Sequence, residues 1–156
     1  KDRNFIDKLK LMVQNAKIPP EFIKLEVTES VFMENVEKSI NLFREIKKMG
    51  IKLALDDFGT GYSSLNYLRS IPLDILKIDK SFIDEITTSR VLSEIVDSII
   101  GMAHTLDILV VAEGVESEEQ LSILKEKGCD FIQGYFFSKP LMPNQLEERL
   151  QEEKYA

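Results

Sequence analysis

Ile51-Lys52-Leu53-Ala54-Leu55-Asp56-Asp57-Phe58-Gly59-Thr60-Gly61 reads as a short apolar strand that gives way abruptly to two acids and a glycine loop. The pattern recurs along the chain. Phe22 to Val27 is strand-like and carries Glu26 near its end, and Ile75 to Ile78 carries Lys77 and is followed by Asp79. Ile108 to Ala112 runs into Glu113, and Phe131-Ile132 runs into Gln133. Five strands in succession thus end on a polar or ionisable residue. An open doubly wound sheet concentrates such residues at its switch point, whereas a closed barrel brings every strand end to one mouth. The even distribution favours the barrel.

Between these strands the spacing is helical. Phe5, Ile6, Leu9, Met12 and Val13 fall on one helix face, and Pro19-Pro20 stops that helix. Val36 to Met49 places Ile40, Phe43 and Ile46 together and ends at Gly50. A short helix is expected near Ser64 to Ser70, and a long amphipathic one from Ser89 to Leu106. Ser117, with Glu119 and Gln120 in its first turn, carries a capping signal, and Asn144 to Leu150 forms a closing helix. The expectation is an α/β fold, an incomplete (β/α)8 TIM-type barrel with about five of its eight strands. Residues 1–156 form one continuous unit. A complete barrel needs roughly 250 residues, so this chain is about a third short.

Composition narrows the function. Net charge is −7, which argues against binding a DNA or RNA polymer, since that requires a basic surface to displace counterions. A small anionic ligand held through metal ions is still allowed, because a cation inverts the local field. No apolar run approaches the ~18–20 residues that span a bilayer, so direct membrane insertion is not expected. Cys129 is the single cysteine, so no intrachain disulfide forms and the cytoplasm is the default compartment. Cys129 reads as a small packing residue, and His104, inside a helix, as structural. The chain starts without Met and opens on a charged helical pattern, as a piece excised from a longer protein would.

Glu26, Asp56, Asp57 and Glu113 each sit where an apolar strand meets a loop, so their carboxylates can converge. Ionised carboxylates at close quarters need a cation to offset their repulsion. An all-oxygen donor set favours Mg²⁺ or Mn²⁺ over zinc. Adjacent Asp56 and Asp57 cannot point the same way on a regular strand. A strand end relaxes that rule, and one of them could then bridge two ions. Lys77 at the same mouth can orient water or neutralise a phosphate oxygen. Any one strand-end acid could be a turn residue, but the full set with Lys77 between them is hard to explain that way. The Asp-Phe-Gly triplet also occurs in protein kinases, but none of their accompanying motifs is present.

Five motifs in order resemble the EAL domain, the bacterial phosphodiesterase that linearises cyclic di-GMP. They are Leu25-Glu26-Val27-Thr28-Glu29-Ser30, Asp56 to Leu65, Lys77-Ile78-Asp79 with Phe82-Ile83, Val111 to Glu116, and Gln133 to Pro140. The resemblance implies that Glu26, Asp56, Asp57 and Glu113 bind a pair of Mg²⁺ or Mn²⁺ ions, with Asp56 as the bridge. It implies that Lys77 positions the attacking water, that Glu113 is also viewed as a general base, and that Glu116 supports this centre. Gln133 would contact the substrate or the inner shell. Glu29 would hold the loop comprising Phe58, Gly59, Thr60 and Gly61, coupling the metals to a dimer contact. The reaction implied is in-line attack of water on one phosphodiester of cyclic di-GMP, giving linear pGpG, with two cations stabilising the entering and leaving oxygens.

The Glu-Ala-Leu motif that names the family is absent, as is the following strand with its metal-binding Asn. The expected consequences are little or no hydrolase activity for this chain alone and self-association, as a homodimer or otherwise, through its uncovered side. A non-catalytic cyclic di-GMP sensor of the same fold is the alternative. A natural short form acting as a dimerisation partner is a third. Sensory and GGDEF domains commonly flank such units, and the parent could be tethered to a membrane sensor.

Overall fold

A computed structural model describes residues 4–33, 35–59 and 68–153. The strands are β1 (Lys24–Thr28), β2 (Lys52–Phe58), β3 (Ile75–Ile78), β4 (Leu109–Glu113) and β5 (Phe131–Gln133). They form one parallel sheet in the order β1-β2-β3-β4-β5. Each strand pairs with the next in sequence, so the sheet never reverses direction as a doubly wound sheet does. This is the arc of a TIM-type barrel, as the strand ends suggested.

The helices are α1 (Phe5–Ala16), α2 (Glu29–Met33), α3 (Val36–Lys48), α4 (Lys80–Asp84), α5 (Arg90–Thr105), α6 (Glu118–Glu126) and α7 (Pro143–Glu153). Short polar side chains start several of them. Asn35 accepts from the Lys38 N–H, Asp79 from the Ser81 N–H and Ser89 from the Leu92 N–H. Ser117 and Gln120 form a reciprocal capping box at α6. Among the described residues no helix is long and apolar enough to cross a membrane.

Several elements differ from the sequence reading. Pro20–Phe22 forms a single 3₁₀ turn, so β1 starts at Lys24 rather than Phe22. β2 continues past Leu55 through both aspartates to Phe58. Helices α2 and α4, one turn each, had no periodicity to betray them. The helix expected near Ser64 falls largely on residues 60–67, outside the described residues.

Strand side chains alternate between two faces. Leu53, Leu55, Leu76, Ile78, Val110 and Ala112 turn toward the helices and are almost wholly buried. Burial is worth about 1.5–3 kcal/mol for each Leu, Ile or Val, so this side holds the sheet together. The opposite face, the barrel interior, carries a small cluster of Ala54, Ile75 and Val111. Above that cluster, toward the C-terminal ends, lie the ionisable residues. The mouth is therefore positioned mainly by packing on the sheet's other side.

The far ends of the strands carry a repeated clamp. The Asp74 carboxylate accepts the Leu53 N–H (2.8 Å) and pairs with Lys47 from α3 (2.7 Å). In the same way Asp130 accepts the Val110 N–H (2.7 Å) and contacts His104 of α5 (2.9 Å). Burial pushes the Asp130 carboxyl upward in pKa, but the bonds from His104 and Val110 outweigh it and leave it below its ordinary value. A carboxyl with a folded pKa below its unfolded one contributes stability that is present above the unfolded value. That contribution is lost as pH falls through the folded value. Urea midpoints measured downward from pH 7 should therefore decline below about pH 4, and less steeply in Asp130→Asn.

Candidate active site

Lys77 organises the mouth. It lies on the inner face of β3, and only 5% of it is exposed. Its ammonium reaches Glu113 Oε1 on β4 (2.8 Å), Asp56 Oδ1 on β2 (2.9 Å) and Glu26 Oε2 on β1 (3.0 Å). Four adjacent strands thus meet at one nitrogen. Burial alone would lower the pKa of Lys77, but the bonds to Glu113, Asp56 and Glu26 outweigh it and raise it above its ordinary value. Glu113 shifts upward. Burial is the main cause, and repulsion from Asp56 and Glu26 adds to it against the pull of Lys77. The difference is physical: Lys77 faces three opposite charges, whereas Glu113 faces one opposite and two like charges.

Asp57 reaches the same place by leaving regular strand geometry. Its φ is +55°, a conformation that costs a non-glycine residue about 1 kcal/mol or more. The register of β2 against β3 slips between Leu55 and Phe58. This bulge lets consecutive aspartates address one point, with the Asp57 N–H on Asp56 Oδ1 (3.2 Å). Carboxylate oxygens of Asp56, Asp57 and Glu113 all lie within 4.8 Å of one another. With Glu26 they set four carboxylates against one ammonium, an all-oxygen donor set suited to a hard divalent cation.

The remaining expected residues surround this cluster. Gln133 is in register with Glu113, and its backbone carbonyl accepts the Val115 N–H (3.1 Å). Glu29 opens α2 and is 2% exposed, and its carboxylate accepts the Gly59 N–H (3.1 Å). Gly59 has φ +100°, and a Cβ there would lie 2.6 Å from the Phe82 ring. Phe58 is buried on the helix side of β2. Thr60 and Gly61 lie outside the described residues. Glu116 is turned onto Lys80, which it meets at 2.7 Å.

Lys80 escaped the sequence reading, and Gln120 does more than the cap that its spacing implies. Lys80 starts α4 three residues beyond Lys77 and pairs with both Glu116 and Asp84 (2.9 Å). Gln120 is buried, accepts the N–H groups of Glu116 and Ser117, and donates to the Ile83 carbonyl (3.0 Å). The capping signal at Ser117 pointed to Gln120 as a local cap. Its link to α4 is long-range and has no sequence signature. Cys129, beside β5, has its thiol pushed up to about 11 chiefly by burial, so it is protonated at neutral pH and fits a packing role.

The profile of the EAL domain family matches residues 1–140. Among curated proteins, the cyclic di-GMP phosphodiesterase NbdA of Pseudomonas aeruginosa is 46% identical over 147 residues, covering 94% of this chain and 19% of that protein. This chain therefore spans about a fifth of the length of such relatives. Among solved structures, the MucR phosphodiesterase of Pseudomonas aeruginosa in complex with c-di-GMP superposes with a TM-score of 0.89 at 37% identity. That match covers 92% of this chain and 58% of that one. The manganese and cyclic di-GMP complex of Klebsiella pneumoniae BlrP1 gives 0.83 at 32% identity, covering 89% of this chain and 36% of that one. The sequential parallel arc, the acidic mouth and these matches lead to one conclusion: the chain belongs to the EAL domain family.

Proposed function

We propose that this chain is the metal-binding part of a cyclic di-GMP phosphodiesterase site, a partial EAL domain over residues 1–156. The observation that carries the proposal is the convergence of Glu26, Asp56 and Glu113 on Lys77, with Asp57 bent in beside them. Glu26, Asp56, Asp57 and Glu113 would hold Mg²⁺ or Mn²⁺. Divalent cations there would offset charge on the attacked phosphate and acidify water.

The protein's own groups do the rest. Lys77 keeps three carboxylates at fixed spacing and can donate to an incoming water or phosphate oxygen. Glu113, at the end of β4 and 2.8 Å from Lys77, would take up the proton that an attacking water releases. Gln133, beside Glu113 in the register, would contact the dinucleotide. Glu29 ties α2 to Gly59 and so couples the loop after β2 to the acidic cluster. The product is linear pGpG.

β1 and β5 are the outer strands of this sheet, and a complete barrel closes with eight. Little or no turnover is therefore expected of the 156-residue chain. Cyclic di-GMP incubated with the chain and MnCl₂ should yield at most a trace of pGpG by ion-exchange chromatography, and turnover near the rate of a complete domain would contradict that expectation. Cyclic di-GMP binding that requires Mn²⁺ and is lost in Asp56→Asn would support the catalytic reading, Mn²⁺-independent binding would support the sensor reading, and no binding would contradict both.

Self-association belongs to the same proposal. Beside β1, Phe5, Leu25, Val27, Val31, Leu42 and Phe43 line an apolar groove of about 540 Å³. An open groove of this kind favours contact with a second copy. Light scattering at micromolar concentration should give a mass above the 17.9 kDa of one chain, and a strictly monomeric mass would contradict the dimer.

A further inference from the structure

The turn that follows Glu113 is held from three directions. Toward β5, the Val115 N–H bonds the Gln133 carbonyl and the Phe136 N–H bonds the Val115 carbonyl (2.9 Å). Toward α6, Gln120 takes the Glu116 and Ser117 N–H groups and links them to Ile83 at the end of α4. The third hold is Lys80. Gly114 has φ +73°, and a Cβ there would run into the Cβ, Cγ and Cδ of Lys80. The Lys80 stem therefore lies directly on the backbone of the residue after Glu113. Beyond it the ammonium bonds Glu116 at the far side of the same turn and Asp84 on its own helix.

The Lys80 side chain is 45% exposed. Ion pairs at that exposure contribute little to global stability, because solvent screens them and both side chains lose entropy. Its contact with Gly114 is of another kind, since it fixes where the backbone leaves the strand that carries Glu113. We propose that Lys80 is a positioning residue for Glu113. Its stem presses on Gly114 and its ammonium holds Glu116, setting the turn that aims the Glu113 carboxylate at Asp56 and Asp57. The proposal rests on the reading of those three carboxylates as cation ligands.

Partners that orient a ligand typically change metal affinity or activity 10–100-fold when removed. The test uses the full 156-residue chain with Lys80→Ala, Lys80→Met and Lys80→Arg. Mn²⁺ binding is followed by the electron paramagnetic resonance of free Mn²⁺, and amide exchange at Val115 and Glu116 is followed without metal. Lys80→Ala should weaken Mn²⁺ binding about tenfold, Lys80→Met less, and Lys80→Arg should restore it. All three should melt within roughly 2 °C of the parent, which a role in global stability would not allow. If Lys80→Ala melts lower, Lys80→Met, which keeps the stem, carries the comparison with Lys80→Arg. Parent-like Mn²⁺ affinity in Lys80→Ala overturns the proposal. If the parent chain itself binds no Mn²⁺, the cation reading fails, and exchange decides the positioning role. Faster exchange in Lys80→Ala, restored in Lys80→Arg, then supports it, and unchanged exchange overturns it.

Discussion

Replacing Lys77 with methionine is expected to lower the melting temperature by roughly 6–12 °C in metal-free buffer, with most of the loss recovered on adding Mn²⁺. Removing one member of a buried ion pair typically costs 3–5 kcal/mol, because the group left behind stays desolvated and unpaired. Here the loss strands three carboxylates at once. The Glu26 side chain is 46% exposed and can rehydrate, whereas Asp56 and Glu113 are 22% and 17% exposed and can do so far less. That places the expected cost near the low end of the range, about 3 kcal/mol. Methionine keeps the volume of the stem, so the effect reads charge and not a cavity. A divalent cation supplies the missing positive charge, hence the recovery. A change below about 2 °C, or one indifferent to Mn²⁺, would show that Lys77 does not hold the cluster together.

The second large effect concerns the adjacent aspartates, both of which should lose Mn²⁺ affinity on substitution while only Asp57 releases backbone strain. Asp56→Asn removes a charged ligand on regular strand backbone, and Mn²⁺ affinity should fall about 100-fold, close to 2.7 kcal/mol. Asp57→Gly also removes a ligand but relieves a backbone with φ +55°. It should bind Mn²⁺ more weakly while stabilising the metal-free fold by about 1 kcal/mol. Stability gained as binding is lost marks strain kept for a site. Calorimetric titration paired with urea unfolding measures both sides. If Asp57→Gly destabilises the fold instead, the bulge of β2 serves packing.

The fold was legible because its decisive signal is local. Each short apolar strand runs into a polar or ionisable residue, and that repeat favours a barrel mouth over a single switch point. In the structure Asp56, Lys77 and Glu113 lie at successive strand ends on the face opposite Leu55, Leu76 and Ala112. Their convergence then follows from barrel geometry. The paired aspartates were legible as a problem, two neighbours unable to share a face. The answer, a bulge with Asp57 at positive φ, needs coordinates.

What stayed hidden is either too short or too distant in sequence to leave a pattern. Helices α2 and α4 have five residues each, below the length at which a 3.6-residue period shows. Pro20 looked like the end of a helix, but it begins the 3₁₀ turn that delays β1. The pairing of Lys80 with Glu116, the reach of Gln120 to Ile83 and the clamp of His104 and Asp130 on Val110 join separate elements. Nothing in composition or spacing connects those residues.

The central claim is that Asp56, Asp57 and Glu113, backed by Glu26 and Lys77, form a divalent-cation site. Titration of the metal-free chain with Mn²⁺, read by electron paramagnetic resonance, tests it most directly. Saturable binding tighter than roughly 1 mM, worth more than about 4 kcal/mol and lost in Asp56→Asn, is the predicted result. Non-saturable binding, or affinity unchanged by Asp56→Asn, would contradict it.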